Sequence, residues 1–171
     1  LIFSGYLNKD KDSNKLNILL SKLLNIDSKR ITKLVTDKSK AIKKVRHSFS
    51  DLSEQAISLI NLNTIRDLEK KLDMKIHSHR FRGNLYFMGT KPWNELNWIG
   101  TKISIGSAVL KIFKKTERCG ATNVNPKNGK RDINLPFSLK KLNGHFDLGV
   151  YGKVIKSGNI KKNDEIKFIQ N

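Results

Sequence analysis

The residue types best suited to chemistry lie between Arg80 and Tyr151. The chain's one cysteine sits in Thr116-Glu117-Arg118-Cys119-Gly120-Ala121-Thr122-Asn123-Val124-Asn125-Pro126, and Lys127-Asn128-Gly129-Lys130-Arg131-Asp132 follows directly. Asn125-Pro126 and Asn128-Gly129 are turn dipeptides, which predicts Cys119 on a strand leading to a hairpin-like loop. A lone cysteine is commonly a small buried hydrophobe. Here Arg118 and a run of small polar neighbours give it an electropositive setting that favours the thiolate, which is both a soft-metal ligand and a nucleophile.

Upstream, Arg80-Phe81-Arg82-Gly83-Asn84 places two guanidinium groups on one face if this is the start of a strand, since residues two apart point alike. Such a pair suits a phosphate, or is simply exposed. With one cysteine there is neither an internal disulfide nor a CxxC redox pair, which points to a reducing compartment. The four histidines, His47, His77, His79 and His145, do not fall at zinc-ligand spacing with Cys119, so a structural zinc site is not expected. A metal bound here would take its protein sulfur from Cys119 and its other ligands from a cofactor.

The elements that must position these residues show in the hydrophobic periodicity. Leu16, Leu19, Leu20, Leu23 and Leu24 recur at helical spacing, which predicts an amphipathic helix over 14–24 with a core-facing stripe. Ile31 to Val35 reads as a short strand, and Thr36 to Glu54 as loop. Ala56 to Ile60 predicts a buried strand, followed by a helix carrying Ile65, Leu68 and Leu72. That helix is expected to start at Asn63 or Thr64, either of which can cap it, with Asp67 at capping-box distance from Thr64. A helix N-terminus also attracts anions, so Asn63 and Thr64 read either as caps or as ligand contacts.

Beyond Lys75 the pattern turns to β. Short strands are expected at 85–88, 102–106, 108–113, 120–124, 150–155 and 165–169, separated by glycine-bearing turns. Many short strands with two or three helices indicate a mainly antiparallel barrel or sandwich with helical inserts.

The 171 residues carry 34 Lys+Arg against 15 Asp+Glu, a net charge of +19, with 37% hydrophobic residues. The charge invites a nucleic-acid reading, but most of it is Lys scattered singly or in pairs. Arg, the better phosphate fork, is sparse, and no helix-turn-helix, zinc-finger or aromatic RNA-binding signature is present. No apolar run reaches the roughly 20 residues of a membrane span. The chain starts without Met inside an apolar patch, Leu1-Ile2-Phe3, from which an upstream segment is expected.

Taken together, these residues resemble the MOSC domain family, named after the C-terminal domain of molybdenum-cofactor sulfurase. The resemblance runs through Ala56 to Thr64, Arg80 to Asn84, Trp98-Ile99-Gly100, Glu117 to Thr122, Asn125-Pro126 with Gly129 and Arg131-Asp132, and Gly149-Val150-Tyr151 with Gly158. His47-Ser48-Phe49-Ser50-Asp51 is similar to the opening segment of bacterial members. The resemblance implies a mainly β fold with α inserts, a MOSC-type antiparallel β-barrel over residues 45–171. Residues 1–44 would be a connector with an amphipathic helix, the tail of a missing N-terminal domain.

The resemblance further implies binding of molybdenum cofactor in its molybdopterin form, with Cys119 as molybdenum ligand or as carrier of a persulfide sulfur. Glu117 and Arg118 would contact the cofactor beside it. Arg82, Asn63 and Thr64 would hold the pterin phosphate, and Tyr151 would close the pocket. Many relatives have Pro where this chain has Gly83. The function implied is a cytoplasmic oxidoreductase component, or alternatively a sulfur-carrier or cofactor-delivery module. A cysteine desulfurase or an electron-transfer protein would be the partner, with neither specific nucleic acid nor membrane involved. Pyridoxal phosphate belongs to a separate desulfurase domain of sulfurases, and 171 residues leave no room for one.

Overall fold

The computed structural model describes residues 6, 9–26 and 56–169. The chain divides into two compact units, Leu1–His47 and Ser48–Asn171. The first contributes helix α1, Asp10–Leu23, longer at its start than the leucine pattern predicts. Asp10 and Asp12 in its first turn and Lys22 in its last complement the helix dipole. The expected core-facing stripe is only partly realised, because Leu16, Leu19 and Leu20 are half-buried while Leu23 and Leu24 are exposed. The strand expected at 31–35, the loop to residue 54 and the segment His47 to Asp51 lie outside the described residues.

The second unit contains β1 (Ile57–Asn61), α2 (Leu62–Leu72), β2 (Leu85–Phe87), β3 (Lys102–Ile105), β4 (Ala108–Glu117), α3 (Leu135–Asn143), β5 (Asp147–Lys156) and β6 (Ile166–Ile169). Three short 3-10 turns, Ser78–Phe81, Asn94–Asn97 and Gly120–Asn123, fill the connections. The strands form one sheet in the order β2-β1-β5-β4-β3-β6, curled into a half-barrel. All neighbours are antiparallel except β1 and β2, which run parallel with Leu59 opposite Leu85 and Ile60 opposite Tyr86. Among the described residues β2 and β6 are free edges, so the expected barrel is open between them.

Both faces of β1 are buried, which explains its nearly unbroken apolar run. Leu59 joins Trp98, Ile103, Ile105, Leu110, Ile112 and Val150 inside the curve. Ile60 joins Ile65 and Leu68 of α2, Phe81, Leu135 and Leu139 of α3, and Leu148 on the other side. The two helices therefore cover the outer face of β1 and the start of β5.

Local chemistry sets the element ends. The N-cap of α2 is Asn61, whose side-chain oxygen accepts from the Asn63 amide at 3.0 Å, so the helix starts before the expected Asn63 or Thr64. Asp67 makes no capping box; its carboxylate accepts from Trp93 Nε1 at 2.5 Å and pairs with Lys71 at 2.8 Å. The region 120–124 is a 3-10 turn, not a strand. Helix α3 was not expected from periodicity, although Asn134 caps it, Pro136 sits in its first turn and Gly144 ends it at φ 76°.

Candidate functional site

Strand β4 ends at Glu117, so Arg118 and Cys119 emerge where the sheet gives way to loops. Cys119 is therefore not on a strand as expected: it is the N-cap of the Gly120–Asn123 turn, and its thiol is exposed. The Thr122 amide and hydroxyl both donate to the Cys119 carbonyl, which fixes the backbone beneath an open sulfur.

Arg118 is buried, with 8% of its surface exposed. Its guanidinium crosslinks segments distant in sequence. Nε donates to the Leu148 carbonyl at 2.8 Å, Nη2 donates to the same oxygen, and Nη1 donates to the Phe81 carbonyl at 2.9 Å. Both acceptors are neutral backbone groups, and no carboxylate among the described residues is ion-paired with it. Desolvation pulls its pKa down to about 10, countered by the fields of Tyr151, Tyr86, Cys119 and Asp147. It remains a cation at neutral pH, and a buried cation without an anion is costly.

This one side chain brings three predicted site residues to a common region. Cys119 adjoins it, Arg82 follows the Phe81 carbonyl, and Tyr151 is three residues beyond Leu148, within the field of the guanidinium. Gly149 makes the approach possible: its φ is 82°, and a Cβ there would stand 2.6 Å from the Leu59 carbonyl oxygen and 3.2 Å from Arg118 Nη2. Tyr151 is half-buried, opposite Ser58 on one side and Lys114 on the other. Glu117 is exposed, opposite Asp147.

The two arginines expected on one face are separated in role, because Ser78–Phe81 is a 3-10 turn and not a strand. Arg82 is exposed at φ 49°, ending that turn. Arg80 is buried; its Nη2 pairs with Asp132 at 2.6 Å and its Nη1 donates to the Asn123 carbonyl at 2.9 Å. Asp132 also accepts from Asn125 at 2.7 Å, and these donors hold its carboxyl below the usual range. Arg80 thus latches the hairpin 124–131, closed by the bridge between Val124 and Arg131, beside Cys119.

Gly83 lies close to β1. A Cβ there would collide with the Ile60 side chain, and the Gly83 amide donates to Tyr86 Oη at 2.9 Å. A proline would meet the same obstruction and lose that bond.

Asn63 and Thr64 face other partners. Asn63 Nδ2 donates to the Thr90 carbonyl at 2.9 Å. Thr64 is fully buried; its hydroxyl donates to Glu95 Oε1 at 2.7 Å and accepts from the Trp93 amide at 2.8 Å. Asn61 Nδ2 donates to Glu95 Oε2 at 2.9 Å. Glu95, which sequence reasoning missed, is fully buried, and burial raises its pKa against these two hydrogen bonds. Nothing in Trp93-Asn94-Glu95 signals a buried acid, since an isolated Glu beside a turn normally reads as surface.

Among the described residues no group of three or more His, Cys, Asp or Glu side chains could hold a metal ion. A cavity of about 980 Å³ opens between β2 and β6 and is walled by Phe87, Trp98 and Phe168. It includes Tyr86 but not Cys119. No described helix is long and apolar enough to cross a membrane.

Comparison with known proteins adds three findings. A family model described as the MOSC domain matches residues 44–167. A molybdenum cofactor sulfurase of Drosophila willistoni is 26% identical over 153 residues, covering 88% of this chain but 19% of that protein. The chain thus spans about a fifth of that relative. The crystal structure of YiiM from Geobacillus stearothermophilus superposes with a TM-score of 0.53 at 15% identity, over 67% of this chain and 54% of the other, which is a likeness of fold.

Proposed function

The chain belongs to the MOSC domain family, and from that premise we propose that it binds molybdenum cofactor at Cys119 and serves as a component of a cytoplasmic oxidoreductase. The observation that carries this reading is the buried Arg118 cation, held among the described residues by two backbone carbonyls and the Phe81 ring with no anion paired to it, beside an exposed cysteine. An anionic ligand seated there would neutralise the charge that folding leaves uncompensated.

When bound, the cofactor would supply redox chemistry at molybdenum. The protein's part is to present one sulfur and a fixed positive field. Cys119 would donate the sulfur ligand from a backbone held by Thr122, and Arg118 would hold the anion next to it. Arg82 and Arg131 lie open to a phosphate, whereas Arg80 is committed to Asp132. On the α2 side, the Asn63 side-chain amide is already spent on the Thr90 carbonyl and the Thr64 hydroxyl on Glu95. Tyr151 would border the ligand, and Glu117 would contact it from the end of β4.

Reconstitution of purified apoprotein with molybdenum cofactor tests the reading. Stoichiometric uptake by the native chain and none by Cys119→Ser is expected. Equal uptake by both would remove Cys119 from the site.

A second reading makes Cys119 a sulfur carrier, and the exposure of its thiol favours it, since a persulfide must pass between proteins. Incubation with a cysteine desulfurase and cysteine would then add the mass of one sulfur atom to Cys119. An unmodified thiol would dismiss the carrier role.

A further inference from the structure

Helices α2 and α3 leave the outer face of β3, β4 and the far half of β5 without cover among the described residues. Register places its side chains. Lys153, Lys111 and Lys102 stand directly opposite one another across β5, β4 and β3, with Ile169 of β6 next in the row. The adjacent row is Lys156, Val109, Ser104 and Lys167. Toward the Cys119 end, Lys114 pairs with Tyr151.

Like charges directly opposite on a sheet repel, and sheets commonly place an acid between them. None of these outward positions is acidic. Lys102, Lys111, Lys114 and Lys156 make no ion pair with any described residue; Lys167 lies 3.8 Å from Glu165 at the margin. Inside the curve, β3 and β4 bury Ile103, Ile105, Leu110 and Ile112, so the lysines stand on a rigid, packed support. Between them lie Val109, half-buried, and Ile169, which is 38% exposed.

We propose that this lysine-studded outer face of β3–β5 is a docking surface for an acidic protein, one presenting carboxylates across a strand or along a helix. The charge complementarity is specific to lysine. These are compact, strongly hydrated point charges that pair with single carboxylates, and the face holds no Arg to fork a phosphate. Apolar Val109 and Ile169 set among the charges give a partner something to bury, as a protein interface requires and a phosphate backbone does not. The face runs on through Lys114 and Tyr151 toward Cys119, so a partner seated here would overhang the reactive end of the sheet. The inference does not depend on what Cys119 binds.

The test uses the whole chain and a probe of about 12 glutamate residues, titrated at about 20 mM salt, where exposed charges are least screened. A face variant, Lys102→Gln with Lys111→Gln and Lys156→Gln, is compared with Lys70→Gln, Lys75→Gln and Lys141→Gln, which removes equal charge elsewhere. The face variant should weaken binding at least about fivefold and the control less than about twofold. Its melting temperature should hold or rise, because repulsion is relieved. Equal losses in the two variants, or no binding by the native chain, would overturn the proposal. So would a thymidine oligonucleotide or phosphatidylserine vesicles of equal charge binding more tightly through the same lysines, which would make the surface one for nucleic acid or for membrane.

Discussion

At Arg118 one side chain carries structural work and, on the proposed reading, holds an anion as well. Its three hydrogen bonds tie the end of β4 to Phe81 and Leu148, 37 and 30 residues away. Arg118→Met should therefore leave two buried carbonyls without donors and cost roughly 2–5 kcal/mol in urea unfolding, less whatever is regained by not burying the charge. Cys119→Ser should fall within about 0.5 kcal/mol of the native chain, as expected of an exposed position, with cofactor uptake lost. A large stability loss with uptake intact would make the thiol a packing residue. The pairing of Arg118 with Cys119 was legible in sequence because the two are adjacent and the motif is local. That Arg118 gathers Arg82 and Tyr151 around it was not, because its acceptors are backbone oxygens, which no residue type announces. The same holds for Arg80: its pairing with Asp132 spans 52 residues, and only the 3-10 turn separates its direction from that of Arg82.

Among the elements, the start of α2 shows how a local rule is overridden by tertiary context. The Asn-Leu-Asn-Thr run offers three capping side chains; Asn61 takes the role, because Thr64 is drawn to a buried carboxylate and Asn63 to a carbonyl. Glu95 gives this junction a pH dependence. Burial raises its folded pKa above the unfolded value of about 4.3, so the folded state favours the protonated acid. Its contribution is greatest below that value and declines as pH rises through the folded pKa. Glu95→Gln should flatten this slope in urea midpoints measured between pH 4 and 8, while Glu95→Ala should lower stability at every pH by unpartnering Asn61 and Thr64. An unchanged slope in Glu95→Gln would refute the assignment. Asp132 has the opposite sign: hydrogen bonds from Asn125 and Arg80 lower its pKa, so its contribution is present above about 3.9 and lost as pH falls through the folded value. Asp132→Asn should loosen the 124–131 hairpin at neutral pH and make no difference in strong acid, read from hydrogen exchange of the Asn125 and Gly129 amides.

For the molecule as a whole, strand alternation and glycine turns were enough to predict a mainly β domain with helical inserts, and the half-barrel agrees. The parallel pairing of β1 with β2 was not legible, since both strands are short and the connection between them passes through α2 and a 3-10 turn. Helix α3 was hidden because it is only nine residues long and its exposed Phe137 breaks the stripe made by Leu135, Leu139 and Leu142. Gly83 shows global packing acting on one backbone position: Gly83→Ala should press on Ile60 and cost on the order of 1–3 kcal/mol, lowering the melting temperature by several degrees. An unchanged melting temperature would mean that β1 and the 78–81 turn can part without cost. The charge of +19 belongs to this scale too, and Lys102, Lys111 and Lys156 on the outer face of β3–β5 carry part of it without an ion pair among the described residues.

The central claim is that an anionic, metal-bearing pterin occupies the space beside Arg118 and Cys119. Its most direct test is the molybdenum and pterin content of the chain purified from a host that makes the cofactor. The account predicts molybdenum and pterin in equal amounts in the native protein, and neither in Cys119→Ser of the same melting temperature. Native protein free of both would contradict it.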